Sequence, residues 1–206
     1  MAVEQAVDPA VSRAKFDREI AAFRSLAAVY RARGIWLAET DFPTVVVGFV
    51  GTKLKPPPMA FAARLDFTNY DVHPPSVTIV HPVTGEAYAL HELPTPFWRR
   101  VQPKFEVAGP DGRPTQVLGP MQMLQILQAH NPTHVPFLCL PGTREYHEHP
   151  AHTGDSWLLH RGRGEGTLAY IIEQLAKYGS EPLGGYAIKF QAEIVGFQPN
   201  PGVVPL

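Results

Sequence analysis

Residues that could carry out chemistry concentrate in one short segment, from His130 to His160. The segment reads HNPTHVPFLCLPGTREYHEHPAHTGDSWLLH and holds the chain's one cysteine, Cys139, together with six of its nine histidines. A thiol among imidazoles suits either a metal site or a nucleophilic site in which an imidazole activates the thiol. The residue types alone leave both hypotheses open.

Zinc is one ligand that this segment predicts, because thiolate and imidazole groups bind Zn²⁺ readily. If a metal is bound, the expected ligands are Cys139, His147, His149 and His152. Their spacing, C-x7-H-x-H-x2-H, matches no standard zinc finger. Zinc therefore remains the alternative hypothesis, in either a structural or a hydrolytic role.

The surroundings of Cys139 also suit a nucleophile. The cysteine lies at the end of the apolar run FLCL, and Pro141-Gly142 follows closely. A side chain at the exit from a strand is exposed to substrates, and nearby imidazoles can supply thiolate character. The competing interpretation is a buried cysteine that acts as a small hydrophobic residue. The neighbouring histidines favour the nucleophile.

Two helices are predicted to flank the elements that position this segment. The first begins at Asp8-Pro9, where Asp8 can cap the first turn, and ends at Gly34 in a left-handed conformation. Its apolar stripe is formed by Phe16, Ile20, Phe23, Ala27 and Tyr30. The second helix is predicted over 167–178, with Gly179 closing it.

Four strands are predicted between these helices, over 35–37, 44–50, 59–67 and 76–80. Their short connections favour an antiparallel meander. The absence of an intervening helical pattern argues against a parallel doubly wound sheet. The expected fold class is α+β.

The segment 91–129 is rich in proline, but Phe97, Trp98 and Phe105 argue against disorder. We predict an ordered insertion here, within a single domain that spans 1–206. A short helix is predicted over 121–129, from the sequence MQMLQILQA. After the second helix, the alternating pattern of 186–196 predicts an extra, half-buried strand.

Composition excludes several classes of protein. The chain has 206 residues, of which 45% are apolar, so it can bury a core and is not disordered. Its 18 basic and 19 acidic residues give a net charge of −1, which argues against a nucleic-acid partner. One cysteine allows no internal disulfide. Neither a membrane span nor a signal peptide is evident, so we expect a cytoplasmic protein without a membrane partner.

The order of elements resembles the ubiquitin-conjugating (UBC-like) fold: helix, four-strand meander, proline pair, cysteine on a short extended segment, helix. The segment FTNYDVHPPSVTIVHP is similar to the stretch of that family in which a proline pair precedes the fourth strand. Asn131 lies eight residues before Cys139, the offset of the asparagine in the family's His-Pro-Asn motif, although the order here is His-Asn-Pro. Trp157 and the second helix are similar to the tryptophan and helix that follow the family's cysteine.

A narrower motif, CLPGTREYHEHP, resembles the bacterial CEHH predicted metal-binding family through Cys139, Glu145, His147 and His149. That family is found beside ubiquitin-like, activating-enzyme-like and JAB-type peptidase partners. This chain departs from the UBC-like pattern in its long insertion, in the order of its His-Asn-Pro residues, and in the C-terminal strand predicted where the family usually has helices.

The resemblance implies an enzyme that carries a ubiquitin-like protein as a thioester on Cys139 and transfers it to an amine. His147 or His149 would then lower the thiol pKa or deprotonate the amine. Asn131 would donate a hydrogen bond to the thioester oxyanion, and Glu145 would orient a histidine. The expected partners are a ubiquitin-like protein, an adenylating protein that resembles activating enzymes, and a JAB-type peptidase from the same operon.

The conjugating-enzyme hypothesis predicts no cofactor, whereas the alternative hypothesis predicts bound zinc. A third hypothesis is a catalytically inactive UBC-like module that only binds.

Overall fold

The four predicted strands form one antiparallel sheet. The computed structural model describes residues 6–108, 113–152 and 154–188, and its strand order is β1-β2-β3-β4. The strands are Ile35–Asp41 (β1), Thr44–Val50 (β2), Met59–Asp66 (β3) and Ser76–Val80 (β4). The predicted antiparallel meander is confirmed, and the fold class is α+β.

The N-terminal helix lies where the sequence predicts it, but it is interrupted once. Oδ1 of Asp8 accepts a hydrogen bond from the backbone N–H of Ala10 at 2.8 Å, which caps the first turn. The helical segment divides at Leu26, and Gly34 ends it with φ +76°. The two pieces are Pro9–Ser25 (α1) and Ala27–Ala32 (α2). The predicted stripe packs into the core, with its aromatic and isoleucine side chains buried.

The second predicted helix is Leu168–Leu175 (α4; α3 is introduced below), and it continues as one wider turn, Ala176–Ser180. The hydroxyl of Thr167 accepts from the N–H of Tyr170 at 3.2 Å and caps the helix. The predicted apolar face is buried at Leu168, Ile171, Ile172 and Leu175. Gly179 lies within the final turn, where an added Cβ would come 2.4 Å from Cε1 of Phe97.

A buried carboxylate joins the two ends of the chain. Glu19 of α1 accepts a hydrogen bond from the Tyr70 hydroxyl at 3.1 Å and another from the N–H of Leu168 at 3.1 Å. Burial, and then the charge of Glu19, raise the pKa of Tyr70 well above its usual range, so the hydroxyl keeps its proton. This contact fixes the N-terminus of α4 against α1.

The segment predicted as an ordered insertion contains two antiparallel ladders. Trp98–Val101 (β5) pairs with Gln122–Gln125 (β8), and Lys104–Ala108 (β6) pairs with Pro114–Leu118 (β7). The helix predicted over 121–129 is wrong, because most of that segment forms β8 and Leu127–Gln128 (β9). A short apolar run cannot separate helix from strand by its period alone, and pairing with the distant β5 decides the outcome.

A last short ladder leads into the cysteine. β9 pairs with Phe137–Leu138 (β10), and Arg144–Glu148 (α3) follows. Of the predicted C-terminal strand, residues 186–188 belong to no strand and 189–196 lie outside the described residues. Within the described ranges, no helix has the length and apolar character needed to cross a membrane.

Candidate functional site

Cys139 follows β10 directly, and the backbone of the insertion holds it in place. Its N–H donates to the carbonyl of Ile126 at 2.7 Å, and the N–H of Ile126 donates to the carbonyl of Phe97 at 3.1 Å. Phe97 is fully buried and packs edge-on against Phe61, with ring centroids 4.9 Å apart. The thiol is therefore fixed through the insertion to the core, while its side chain stays half-buried.

The nearest titratable partner of the thiol is His152. Sγ of Cys139 lies 3.5 Å from Nε2 of His152, within hydrogen-bond range for sulfur. Either the thiol donates to a bare Nε2 or a protonated Nε2 donates to the thiolate. A proton can therefore move between these two groups without rearrangement of the backbone.

His152 is held by a tyrosine. The Tyr146 ring of α3 stacks on the His152 ring at a centroid distance of 4.0 Å, and its hydroxyl donates to Oδ2 of Asp155 at 2.7 Å. Burial, and then the hydrogen bond to Asp155, raise the pKa of Tyr146 to about 12. The tyrosine therefore remains a neutral donor at physiological pH.

Asp155 connects Tyr146 to a second histidine. Its Oδ1 accepts from Nε2 of His160 at 2.6 Å. The hydrogen bonds from His160 and then from Tyr146 lower the pKa of the Asp155 carboxyl. An ionised Asp155 with both oxygens engaged thus anchors the tyrosine that supports His152.

His147, the first predicted base, has a different set of contacts. Its Nε2 accepts from the N–H of Gly142 at 3.0 Å, and its Nδ1 lies 2.8 Å from the carbonyl oxygen of Asp155, to which it donates. These bonds define a neutral ring with its proton on Nδ1, and burial lowers the pKa of His147, although the bond to the Asp155 carbonyl partly offsets that effect. His147 ties the loop after Cys139 to the segment of Asp155.

His149, the second predicted base, lies next to His152, and it is His152 that contacts the thiol. Its ring stacks on Phe137 at 5.2 Å between centroids and is tilted against the His152 ring at 5.8 Å. Its Nδ1 accepts from the N–H of Ala151 at 3.2 Å. The structure places His149 beside the thiol's partner, whereas His152 makes the contact with the thiol itself.

Glu145 was predicted to orient a histidine, and the structure places it on another side of α3. Its Oε1 accepts a hydrogen bond from the hydroxyl of Ser76 in β4. Burial is the main influence on this carboxyl and raises its pKa. Glu145 therefore joins α3 to the sheet.

Asn131 lies in the loop between β9 and β10. Its Oδ1 accepts from the N–H and the hydroxyl of Thr133, each at 3.0 Å, and the residue is exposed. This loop leaves the β9–β10 ladder at the end opposite to Cys139. No hydrogen bond joins Asn131 to the thiol among the described residues.

The four residues named as ligands for a bound metal do not form a coordination site in this geometry. Across 6–108, 113–152 and 154–188, no three His, Cys, Asp or Glu side chains are placed to hold a metal ion. Of the four, Cys139 and His152 meet, while His147 has both ring nitrogens in hydrogen bonds. In this arrangement His147 has no ring nitrogen free for a metal, while Cys139 and His152 form a thiol–imidazole pair.

Two further features define what the site can do. Burial raises the pKa of the Cys139 thiol, and the charge of Arg99 partly offsets that effect. A cleft of about 480 Å³ opens on the side of His152, and its lining includes His152, Glu148 and Asp155. The site therefore combines a neutral thiol, an adjacent imidazole and a cleft that this imidazole lines.

The sequence did not identify Tyr146, Asp155 or Arg99 as site residues, and it offered His152 only as a conditional zinc ligand. The short spacing of Tyr146, His152 and Asp155 around one cysteine was an available signal for a polar network. Arg99 gave no such signal, because it lies 40 positions before Cys139 and only tertiary structure brings it near the thiol.

The whole candidate site lies within the part of the chain that is similar to a known protein and to a protein family. The protein y4jH of Sinorhizobium fredii (strain NBRC 101917 / NGR234), whose name calls it uncharacterized, is 42% identical over 207 residues, covering 98% of each chain. The profile of the Y4jH-like family matches residues 7–183, which include the sheet, Cys139 and α4. The chain belongs to the Y4jH-like family.

Proposed function

We propose that this protein is a UBC-like conjugating enzyme, which accepts a ubiquitin-like protein on Cys139 and passes it to an amine. The observation that carries the proposal is the 3.5 Å contact between Sγ of Cys139 and Nε2 of His152. An adjacent base activates a thiol for covalent catalysis. The order of elements supports the same proposal, since an N-terminal helix and a four-strand antiparallel sheet precede the cysteine and a helix follows it.

The first step is thioester exchange. His152 takes the thiol proton, and the Cys139 thiolate attacks the carbonyl carbon of a thioester held by the activating enzyme. The new C–S bond forms, the old C–S bond breaks, and the activating enzyme's sulfur leaves as a thiolate that becomes protonated. The acyl donor is thus a ubiquitin-like protein already activated by an adenylating partner.

The second step is aminolysis. The nitrogen of the acceptor amine attacks the thioester carbon, the C–N bond forms, and Cys139 leaves as a thiolate. His152, neutral again after release of its first proton to solvent, accepts the proton that the nitrogen loses. His152 lies on the lining of the cleft, so an amine held there can reach this base, and the carboxylate of Glu148 on the same lining favours an incoming ammonium group.

A gel assay with the purified protein tests this function. The protein is mixed with ATP, a ubiquitin-like protein and an activating enzyme for that ubiquitin-like protein. We expect a higher-mass band that a reducing agent removes. Cys139→Ala should abolish the band, and Cys139→Ser should give a band that resists reduction because an oxyester replaces the thioester.

The chain offers a matched control for the histidine. His152→Asn should slow discharge of the thioester to a free amine, whereas His149→Asn, which changes the neighbouring ring, should have a much smaller effect. A band that persists in Cys139→Ala would exclude the thiol carrier. Stable binding of the ubiquitin-like protein without any reducible band would instead favour the inactive binding module.

A further inference from the structure

Arg99 is a charged residue of the insertion that has no hydrogen-bond or ion-pair partner in the part of the chain that the structure describes. It lies on β5, two residues after Phe97, whose carbonyl is linked through Ile126 to the N–H of Cys139. Its Nε is buried and makes no hydrogen bond, and the guanidinium forms no ion pair within the described residues. Arg99 is half-buried, and a buried N–H without an acceptor costs free energy, so an acceptor supplied by a ligand would recover part of that cost.

The charge of Arg99 acts on three groups around the thiol. Burial raises the pKa of Cys139, of Tyr146 and of Tyr170 on α4, and the charge of Arg99 offsets a smaller part of that rise in each case. The backbone gives the geometry: Cys139 bonds to Ile126 and Ile126 bonds to Phe97, so β5 lies across this ladder from the cysteine, with Arg99 two residues along it. No carboxylate is paired with the guanidinium in the described residues.

The next residue along β5 lies on the other face of the ladder. Successive side chains of a strand point to opposite sides. Arg100 accordingly lines a separate cleft with Trp98, Met123 and Lys177, whereas Arg99 pairs across the ladder with Leu124. The two arginines share a strand and a charge, but only Arg99 is on the side of the thiol.

We propose that Arg99 forms an anion-binding subsite at Cys139, which holds the carbonyl oxygen of the acyl group as that oxygen becomes negative. This inference rests on the proposed function for the identity of its ligand. A guanidinium offers several donors in a fixed plane, and fixed donors at a developing oxyanion are a large contribution to acyl transfer. Asn131, the residue predicted for this role, lies beyond the far end of the β9–β10 ladder and has its Oδ1 engaged by Thr133.

Alkylation of the single cysteine tests the subsite without any partner protein. Iodoacetate carries a carboxylate and iodoacetamide is its neutral analogue, so the ratio of their rates reports anion binding while the thiolate fraction cancels. Arg99→Gln should lower that ratio about tenfold, the effect of one charge-assisted hydrogen bond. Arg100→Gln should leave the ratio near that of the unmodified protein, and Arg99→Lys should restore most of it.

Circular dichroism of each variant shows whether it is folded, and Arg99→Met, which keeps a long apolar side chain without the charge, provides the test if Arg99→Gln unfolds. An unchanged ratio in a folded Arg99→Gln variant would overturn the subsite. An equal fall in Arg100→Gln would also overturn it, because the effect would then be a general change in surface charge.

The transfer assay separates this inference from the function on which it rests. Arg99→Gln should slow thioester formation roughly 100-fold, as removal of one oxyanion donor does in other acyl-transfer enzymes. If the alkylation ratio falls but no thioester forms in any variant, the anion subsite stands and the conjugating function fails. If thioester forms equally fast in Arg99→Gln with an unchanged alkylation ratio, the function stands and the subsite fails.

Discussion

The ring of Tyr146 lies nearly parallel to the ring of His152, with centroids 4.0 Å apart and an angle of 23° between the planes. The other end of the tyrosine is fixed, because its hydroxyl donates to Asp155 at 2.7 Å. The imidazole is thereby presented edge-on to the thiol of Cys139. Tyr146 acts through His152, so it is a positioning residue in the proposed reaction.

Substitutions at Tyr146 should distinguish the ring from the hydroxyl. Tyr146→Phe keeps the stack, so we expect only a small loss in the rate of transfer to an amine. Tyr146→Ala removes the stack and should reduce that rate about tenfold, the upper range for an aromatic pair. The measurement is single-turnover discharge of the preformed thioester at saturating amine, and equal rates in the two variants would refute the positioning role.

Substitutions of two histidines should affect different properties: the rate of thioester discharge for His152 and the free energy of unfolding for His147. His152→Ala should slow discharge of the thioester roughly 100-fold, as loss of a general base does, with little change in unfolding free energy. His147→Ala removes two hydrogen bonds to the backbone and should cost about 2 kcal/mol of unfolding free energy. Urea denaturation and the discharge assay are applied to both variants. If His147 were the base, His147→Ala would instead give the larger loss in discharge rate.

The buried carboxyl of Glu145 predicts a pH dependence of stability. Burial raises its folded-state pKa above the ordinary value of 4.5, so the folded chain binds this proton more tightly than the unfolded chain does. The stabilising contribution is full below the ordinary pKa and is lost as pH rises through the raised pKa. In Glu145→Gln this loss is absent, because the amide stays neutral.

The difference in unfolding free energy between Glu145→Gln and the unmodified protein should therefore shift in favour of the variant as pH rises from 4 to 7. Urea denaturation at several pH values measures it. A difference that stays constant over this range, or moves in favour of the unmodified protein, would contradict the raised pKa.

Glu19 should contribute strongly to folding. Glu19→Ala leaves the buried Tyr70 hydroxyl and the Leu168 N–H without their acceptor, which should cost about 2–3 kcal/mol. Glu39→Ala, at an exposed position of β1, should change stability by less than about 0.5 kcal/mol. Thermal unfolding of both variants is the measurement, and similar melting temperatures would show that Glu19 does not join the helices energetically.

Zinc content provides a final prediction. We expect no stoichiometric zinc in protein purified without chelators, because His147 already uses both ring nitrogens in hydrogen bonds. Elemental analysis of the purified chain decides the matter, with Cys139→Ser as control. One zinc per chain that disappears in Cys139→Ser would refute the thiol mechanism and favour the metal hypothesis.

Periodicity in the sequence predicted the sheet and both main helices because those elements follow from local patterns. The β-branched runs at Thr44–Val50 and Ser76–Val80 became strands with those bounds, and the apolar stripe from Phe16 to Tyr30 became the buried face of α1 and α2. The helix predicted over 121–129 failed because a strand depends on a partner, and its partner β5 lies more than twenty residues earlier in the chain.

The residues of the candidate site were also predictable only in part from the sequence. Clustering of histidines near the single cysteine indicated the right segment, because proximity in sequence limits how far apart those residues can lie. Which imidazole faces the thiol depended on ring stacking and on hydrogen bonds to Asp155 and Gly142, so tertiary contacts selected His152 and turned His147 toward the backbone. Arg99 comes near Cys139 only because the insertion folds back on the core, and no local pattern in the sequence specifies such a contact between distant residues.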